Sequence, residues 1–400
     1  MKALDHVTVL DLSRVAAGPL GTQTLADLGA RVWKVESLKG DDTRTWGPTT
    51  ASGNSEGPYF TAVNRGKQGL AINFKDPRGQ ALIKGLAQHA DVLVENYKVG
   101  DLARHGLGYG DLAPLNPRLI YVSLTGYGQS GPRASQLGYD TVLQALTGIM
   151  TLTGDADRPP AKVGVAWIDV MSGLTCAVSV LAALAARDKS GQGQHVDLSL
   201  FDVGLMALLD AGQDYLQNGN VQVRSGSVHR NFAPSQPFEA ADGWLIMAIA
   251  NEDQYRRFCA MIGRDDLLTD PRFTDNRKRL QHREVLAAEV AAEIAKRTRA
   301  EWIELGVRNK VPINPIHSVG DAFGDGHAGA RGAVWNLPRA GDAPLPVIAS
   351  PLRHMSATPA APSSPPPGLG QHTGAVLQQV LKLGADEIAA LKADGVIHCP

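Results

Sequence analysis

Short apolar runs alternate with amphipathic stretches through the first half of the chain. His6–Leu12, Ala30–Glu36, Gly69–Phe74, Ala90–Asn96, Leu119–Leu124 and His195–Phe201 are rich in Val, Ile and Leu and predict strands. A helix is predicted between the first two, from the loop Ser13–Pro19 to about Leu28, with Gly29 at its end. Lys75-Asp76-Pro77 opens another, with proline near the first turn. The alternation continues to about residue 205 and predicts an open α/β sheet, beginning with a parallel pair joined by a right-handed crossover. This is Rossmann-like, yet no GxGxxG follows the first strand, so the pattern does not argue for a dinucleotide.

Val163–Leu184 has a different texture. Val163–Trp167 reads as a buried extended run; after it Val170, Leu174, Val178, Leu181 and Ala185 recur at helical spacing. Asp169 is the one charged side chain in this stretch and falls at or near the first helical turn. Backbone amides and the helix dipole favour a carboxylate there, so an N-cap is the simplest account from the residues alone. Ligands of open α/β sheets bind beyond the carboxyl ends of the strands. Arg14, Lys75, Asn96, Lys98 and Ser123 all lie at or just after predicted strand ends, and small residues at 16–18 let a ligand approach the backbone.

Beyond a long apolar helix that ends near Gln217 the pattern changes. Residues 218–236 read as a linker. Phe238–Ala240, a turn at Asp242-Gly243, and Trp244–Ile249 predict a hairpin, followed by helices near 252–262, 282–297 and 299–306. Residues 1–217 are thus read as the first part of a large domain, 237–325 as a smaller α+β domain, and 326–367 as a second linker. That linker holds short extended pieces and five prolines between Thr358 and Pro367; a tail, 368–400, carries two short helices. Gly40–Asn54 is polar and Gly-rich, hence a loop.

Composition narrows the function. A net charge of −1 gives no support for a nucleic-acid or anionic-membrane partner. Cys176, Cys259 and Cys399 have neither disulfide-framework nor zinc spacing, so no metal is expected. The N-terminus lacks a signal-peptide pattern, and the apolar run 174–186 is too short to span a bilayer. These features predict a cytoplasmic protein.

Strings distributed over nearly the whole chain then carry a resemblance: VLDLSRVAAGP, VWKVE, NRGKQGLAINFK, ADVLVENYKVGDLARHGLGY, SLTGYGQSGP, GYDTVLQALTG, GQGQHVDLSLFD, DPRF and GLGQHTGAVL. In this order and spacing, together with the Asp169 stretch, they resemble the class III CoA-transferases (the CaiB/BaiF family). That group includes the formyl-CoA and carnitine-CoA transferases and the 2-methylacyl-CoA racemases. The resemblance implies an interlocked homodimer whose Rossmann-like large domain is completed by the C-terminal segment. It implies acyl-CoA and a free carboxylic acid as substrates, with no tightly bound cofactor.

By the same resemblance Asp169 is the nucleophile. The matching CoA-binding positions are Val15, Ala16, Ala17, Ile72, Asn73, Phe74, Lys75, Asn96, Tyr97, Lys98, Arg104, Tyr139 and Asp140, with Lys75 and Arg104 expected on phosphates. Oxalate-using members carry cations at the positions of Ser37 and Leu137; both are absent here, with Lys39 or Arg44 available to compensate for the first, so phosphate contacts are expected to differ in detail. The glycine run of those members is absent from 237–262, so oxalate is not expected. His229 and Arg230 are candidates for the far carboxylate of a dicarboxylic acid such as succinate or glutarate. Two rivals stand beside this reading. A racemase would use a histidine at position 139, where this chain has a tyrosine, a poor base at neutral pH. A non-catalytic acyl-CoA-binding protein would leave Asp169 without covalent chemistry.

Overall fold

A computed structural model describes residues 2–47, 56–339 and 341–400. The chain divides into two compact units: Met1–Ile149, Lys162–Val221 and Gly329–Pro400 form the first; Met150–Ala161 and Gln222–Ala328 form the second.

The first unit is built on strands β1 (Thr8–Asp11), β2 (Arg31–Glu36), β3 (Lys67–Ile72), β4 (Val92–Glu95), β5 (Ile120–Thr125) and β6 (His195–Ser199). Their spatial order is β3-β2-β1-β4-β5-β6, with every neighbouring pair parallel. The C-terminal segment adds a short edge strand, Ile397–His398, antiparallel to β3. Helices cover both faces, so the strands read as nearly continuous apolar runs. Alternate residues feed two cores. Leu10, Trp33, Val35, Leu70 and Leu93 meet Leu82, Ile83 and Leu86 of a helix over Pro77–Gln88; Val9, Val32, Val92, Val94 and Val122 meet two other helices, α1 (Ala17–Asp27) and one over Trp167–Ser190.

Strand order reverses between β1 and β4. At such a point the connections leave toward opposite faces, opening a crevice past the strand ends. The sequence supplies this crevice with the loop after β1 and the segment after β4.

Several expectations need correction. The third strand runs over Lys67–Ile72, not Gly69–Phe74. Lys67 is buried and paired with Asp11 at 2.9 Å, so a polar residue occupies a strand position that hydrophobicity does not reveal. Val163–Trp167 forms no strand: residues 163–166 are a loop with Val165 59% exposed, tied down by Gln144, whose side chain accepts from Val163 N at 2.8 Å, and Trp167 opens the helix. Downstream, the helix spans the full 24 residues of Trp167–Ser190, longer than the apolar run suggests. It is long and apolar enough to cross a membrane. Its buried residues, however, pack on α1 and the parallel sheet as those of a core helix do.

The face that helix buries is not the one its large residues mark. Val170, Leu174, Val178, Leu181 and Ala185 are exposed in the single chain, while Ser172, Gly173, Cys176, Ala177, Val180, Ala183 and Leu184 are buried. Small residues decide this, because α1 crosses too closely for large ones. A Cβ on Gly173 would sit 2.8 Å from the Ala17 carbonyl oxygen, and one on Gly21 would sit 3.0 Å from that of Gly173.

Of the predicted loop Gly40–Asn54, the described part carries a 3₁₀ turn at Asp42–Thr45; residues 48–54 lie outside the described residues. The stretch 326–367, read as a linker, contains an antiparallel hairpin, Val334–Arg339 with Asp342–Ile348, belonging to the first unit. Arg65 holds it, bonding Asp27 and the Ile348 carbonyl. In the second unit, Ser235–Ala240, Gly243–Ala248 and Ile313–Pro315 form a three-stranded antiparallel sheet. It packs Phe238, Leu245 and Met247 on Phe258, Phe273, Leu286 and Trp302. This unit begins before residue 237 and takes in residues 150–161, which the sequence does not set apart.

The glycine contact gives a stability prediction. Gly173→Val should lower stability by about 1–3 kcal/mol through overpacking, read as a lower urea midpoint at unchanged slope. An unchanged midpoint would contradict the close crossing.

Candidate active site

A cavity of about 260 Å³ opens at the strand-order reversal, walled by the loop after β1, the segment after β4, the end of β5 and the start of the Trp167–Ser190 helix. Asp169 faces it, with Val15, Ala16, Ala17, Asn96, Tyr97, Lys98, Tyr139 and Asp140. All of these come from the first unit.

Asp169 is the third residue of its helix, and it is not the cap. The N-cap residue, Ala166, has no side chain to offer. Asp140, at the start of the helix Asp140–Leu146, supplies the cap from elsewhere in the chain: its Oδ2 accepts from Ile168 N at 2.8 Å and from Asp169 N at 3.2 Å. Gln144, one turn on, donates to the other oxygen of Asp140 at 2.6 Å and holds the preceding loop. The orphan amides of the helix end are thereby satisfied without Asp169. The Asp169 carboxylate itself has no hydrogen-bond or ion-pair partner among the described residues. Burial pushes its pKa up to about 7, and the neighbouring charge of Asp140 adds to this.

The opposite wall is held as firmly. Arg14 N donates to Asn96 Oδ1 at 2.8 Å, and Asn96 Nδ2 donates to Arg14 O at 2.7 Å. Val15 N donates to Asp41 Oδ2 at 3.2 Å, and Lys34 Nζ bridges Ser13 O and the same carboxylate oxygen. These bonds keep Val15 at φ +69°, a strained conformation for a β-branched residue. Beneath the loop Asp11 accepts from Ser13, Thr22 and Lys67. Burial opposes its charge, but Lys67 and Lys34 outweigh that and hold its carboxyl below the ordinary range. Lys67 itself is pushed down to about 8, chiefly by burial.

Asn96 and Asp140 therefore act here through backbone bonds that shape the cavity. The remaining expected positions lie outside its lining. Ile72 is a fully buried core side chain, so only its backbone can meet a ligand. Asn73 N donates to Val396 O. Phe74 packs edge-on against Tyr97, with ring centroids 5.4 Å apart. Lys75 is exposed, and Arg104 pairs with Asp101 on the surface. Ser123 turns to a smaller cavity of about 100 Å³, where its hydroxyl lies 3.0 Å from His195 Nε2. Lys98 borders both cavities. His229 and Arg230 belong to the second unit; the His229 ring packs on Phe232, and Arg230 donates to Val223 O at 2.7 Å.

Sequence reasoning missed Asp42, Trp46, Thr125 and Gln136, which line the cavity beside Leu137, a position it noted only for lacking a cation. Thr125 ends β5, the neighbour of β4 on one side of the reversal, so the strand-end rule reaches it once the sheet order is known. Trp46 stacks edge-on with Tyr59, at 5.5 Å between centroids. Burial, then the charges of Asp169 and Asp140, raise the Tyr59 phenol, which places it near both carboxylates. Among the described residues no group of three or more His, Cys, Asp or Glu side chains is arranged to hold a metal ion.

A sequence model of CoA-transferase family III matches residues 4–373, so the chain belongs to that family and is a CoA-transferase. It is 39% identical to a succinate–glutarate CoA-transferase of Agrobacterium fabrum, over 94% of this chain and 95% of the relative. Against the succinyl-CoA:glutarate CoA-transferase of Mus musculus the figure is 38%, over 100% and 91%. A crystal structure of a CaiB/BaiF family protein from Brucella suis superposes with a TM-score of 0.86 at 38% identity, covering 95% of this chain and 99% of that one.

The raised pKa of Asp169 predicts a pH-dependent cost. The unfolded chain releases this proton near the ordinary 3.8, whereas the folded chain keeps it to about 7. Stability is therefore lost as pH rises through that interval. Asp169→Asn should have a higher melting temperature than wild type above pH 7, and the gap should close towards pH 4. A gap that persists at pH 4 would contradict the burial of this charge.

Proposed function

We propose that the protein moves CoA between two dicarboxylic acids of the size of succinate and glutarate, through covalent intermediates on Asp169. The observation that carries this is the Asp169 carboxylate, partly buried in a cavity at the strand-order reversal and without a partner among the described residues. The relatives named for succinate and glutarate support the substrate class.

In the proposed reaction an Asp169 oxygen attacks the thioester carbonyl of succinyl-CoA. The C–S bond breaks, CoA thiolate leaves, and a mixed anhydride remains. The thiolate attacks the aspartyl carbonyl of this anhydride and expels succinate, leaving an aspartyl-CoA thioester. A glutarate oxygen attacks that thioester and again releases the thiolate, forming a second anhydride. Attack by the thiolate on its glutaryl carbonyl gives glutaryl-CoA and restores the Asp169 carboxylate. No proton has to move, so Tyr139 in the place of a histidine is no handicap. A carboxylate with few hydrogen bonds is a stronger nucleophile, and Asp140 fixes its position without neutralising it.

The assembly belongs to the same proposal. Val170, Leu174, Val178 and Leu181 follow Asp169 along an exposed apolar face, too large to be left to water. A second copy of the chain covers it, interlocked as the family resemblance implies.

Two measurements test this. Succinyl-CoA with glutarate should yield glutaryl-CoA by mass spectrometry, and hydroxylamine should trap a hydroxamate on the Asp169 peptide. Asp169→Asn should lose turnover by on the order of 10³-fold or more while still binding CoA. Exchange of the α-proton of a 2-methylacyl-CoA with solvent deuterium, without any acceptor acid, would point to the racemase instead. In light scattering the protein should show twice the chain mass, and Leu174→Glu with Val178→Glu should reduce it to one; a monomeric wild type would sink the assembly.

A further inference from the structure

Arg14 stands in the cavity wall, and among the described residues no carboxylate takes up its charge. Its backbone is fixed independently of its side chain, by the paired bonds to Asn96. Its guanidinium lies 4.9 Å from the centroid of the Tyr97 ring. Tyr97 is in turn braced by Phe74. The stacking sets the orientation of the guanidinium plane but uses none of its N–H groups. Among the described residues its Nε is buried without a hydrogen-bond partner, and no carboxylate lies within ion-pair distance of it. Arg14 is half-buried; the fully buried arginines of this unit each have a carboxylate partner, Arg44 with Glu36, Arg65 with Asp27 and Arg187 with Asp91, although the Arg187 Nε is likewise without a hydrogen bond. A guanidinium is always charged, and a buried donor left unpaired is costly. Such an arrangement is kept where a ligand completes it.

We propose that Arg14 is a substrate-binding residue that receives an oxyanion of the substrate. The inference rests on the proposed CoA transfer. Two sources offer the same chemistry: a phosphate of CoA, or the far carboxylate of the dicarboxylic acid. Lys98, next to Tyr97 and on the same cavity, supplies a second cation to whichever of them enters. Planar, forked N–H groups suit either oxyanion through two parallel bonds, which an ammonium cannot reproduce.

Calorimetry and kinetics on wild type, Arg14→Met and Arg14→Lys test this with coenzyme A, pantetheine, glutarate and acetate. If the phosphate is the partner, Arg14→Met weakens coenzyme A binding by about 10–100-fold and leaves pantetheine unchanged. If the carboxylate is the partner, coenzyme A is unaffected and the KM for glutarate rises by that factor, while the KM for acetate stays. In either case Arg14→Lys recovers part of the loss. Unchanged binding and kinetics in Arg14→Met overturn the proposal. So does an equal loss for pantetheine and coenzyme A, the mark of a collapsed loop. A wild-type protein that binds no coenzyme A overturns the transferase reading and takes this inference with it.

Discussion

The site depends on one carboxylate serving another's helix. Asp140 accepts from the amides of Ile168 and Asp169, so the first turn of the helix is satisfied by an acid from a different element. Had Asp169 capped its own helix, its oxygens would be bonded to amides and its carboxyl held low, a poor nucleophile. Because the cap comes from Asp140, Asp169 keeps its place in the first turn while its oxygens have no partner among the described residues. The same arrangement puts a second negative charge beside it, which adds to the effect of burial on its pKa.

The facing wall follows a similar logic with a different device. An unusual backbone at Val15 costs about 1–3 kcal/mol and persists only where its surroundings over-determine it. Here they do: Asn96 closes on Arg14 from the far side of the reversal, Asp41 holds Val15, and Lys34 holds Ser13. The ions behind these bonds are themselves buried and mutually paired, Lys34 with Asp41 and Lys67 with Asp11. Breaking one partner of such a pair leaves an uncompensated buried charge, so the loop and the sheet beneath it stand or fall together.

The sheet was legible because its physics is local. Strands covered on both faces show as short apolar runs, and the alternation with helices names the architecture before any side chain is placed. Asp169 was legible as a singular charge in an apolar stretch, and the family resemblance gave it a role. What the residues could not show was non-local. Asp140 caps a helix from 29 positions upstream of Asp169, an acceptor no window on the helix contains. Lys67 hides a strand position because its charge is paired in the core. The Trp167–Ser190 helix misleads for a further reason: it is apolar on two faces. Spacing identifies a stripe of large residues, but not which of two stripes meets the core. Gly21 and Gly173 bring the helices together, and the small-residue face is buried.

This inverted helix ties the chemistry to the assembly. Asp169 and the exposed stripe Val170–Leu174–Val178–Leu181 lie on one rod, so whatever covers the stripe also borders the Asp169 carboxylate. An anhydride survives only where water is excluded, and a single chain leaves Asp169 partly open beside an apolar surface in solvent. In the proposed dimer one event covers the stripe and dries the site. Any further burial of Asp169 favours its protonated form, so a cover that excludes water also works against the attacking anion. Nucleophilicity here is a balance between desolvation, which strengthens the attacking oxygen, and protonation, which removes it. A pKa of about 7 leaves a large share of the group ionised at neutral pH, and further desolvation lowers that share.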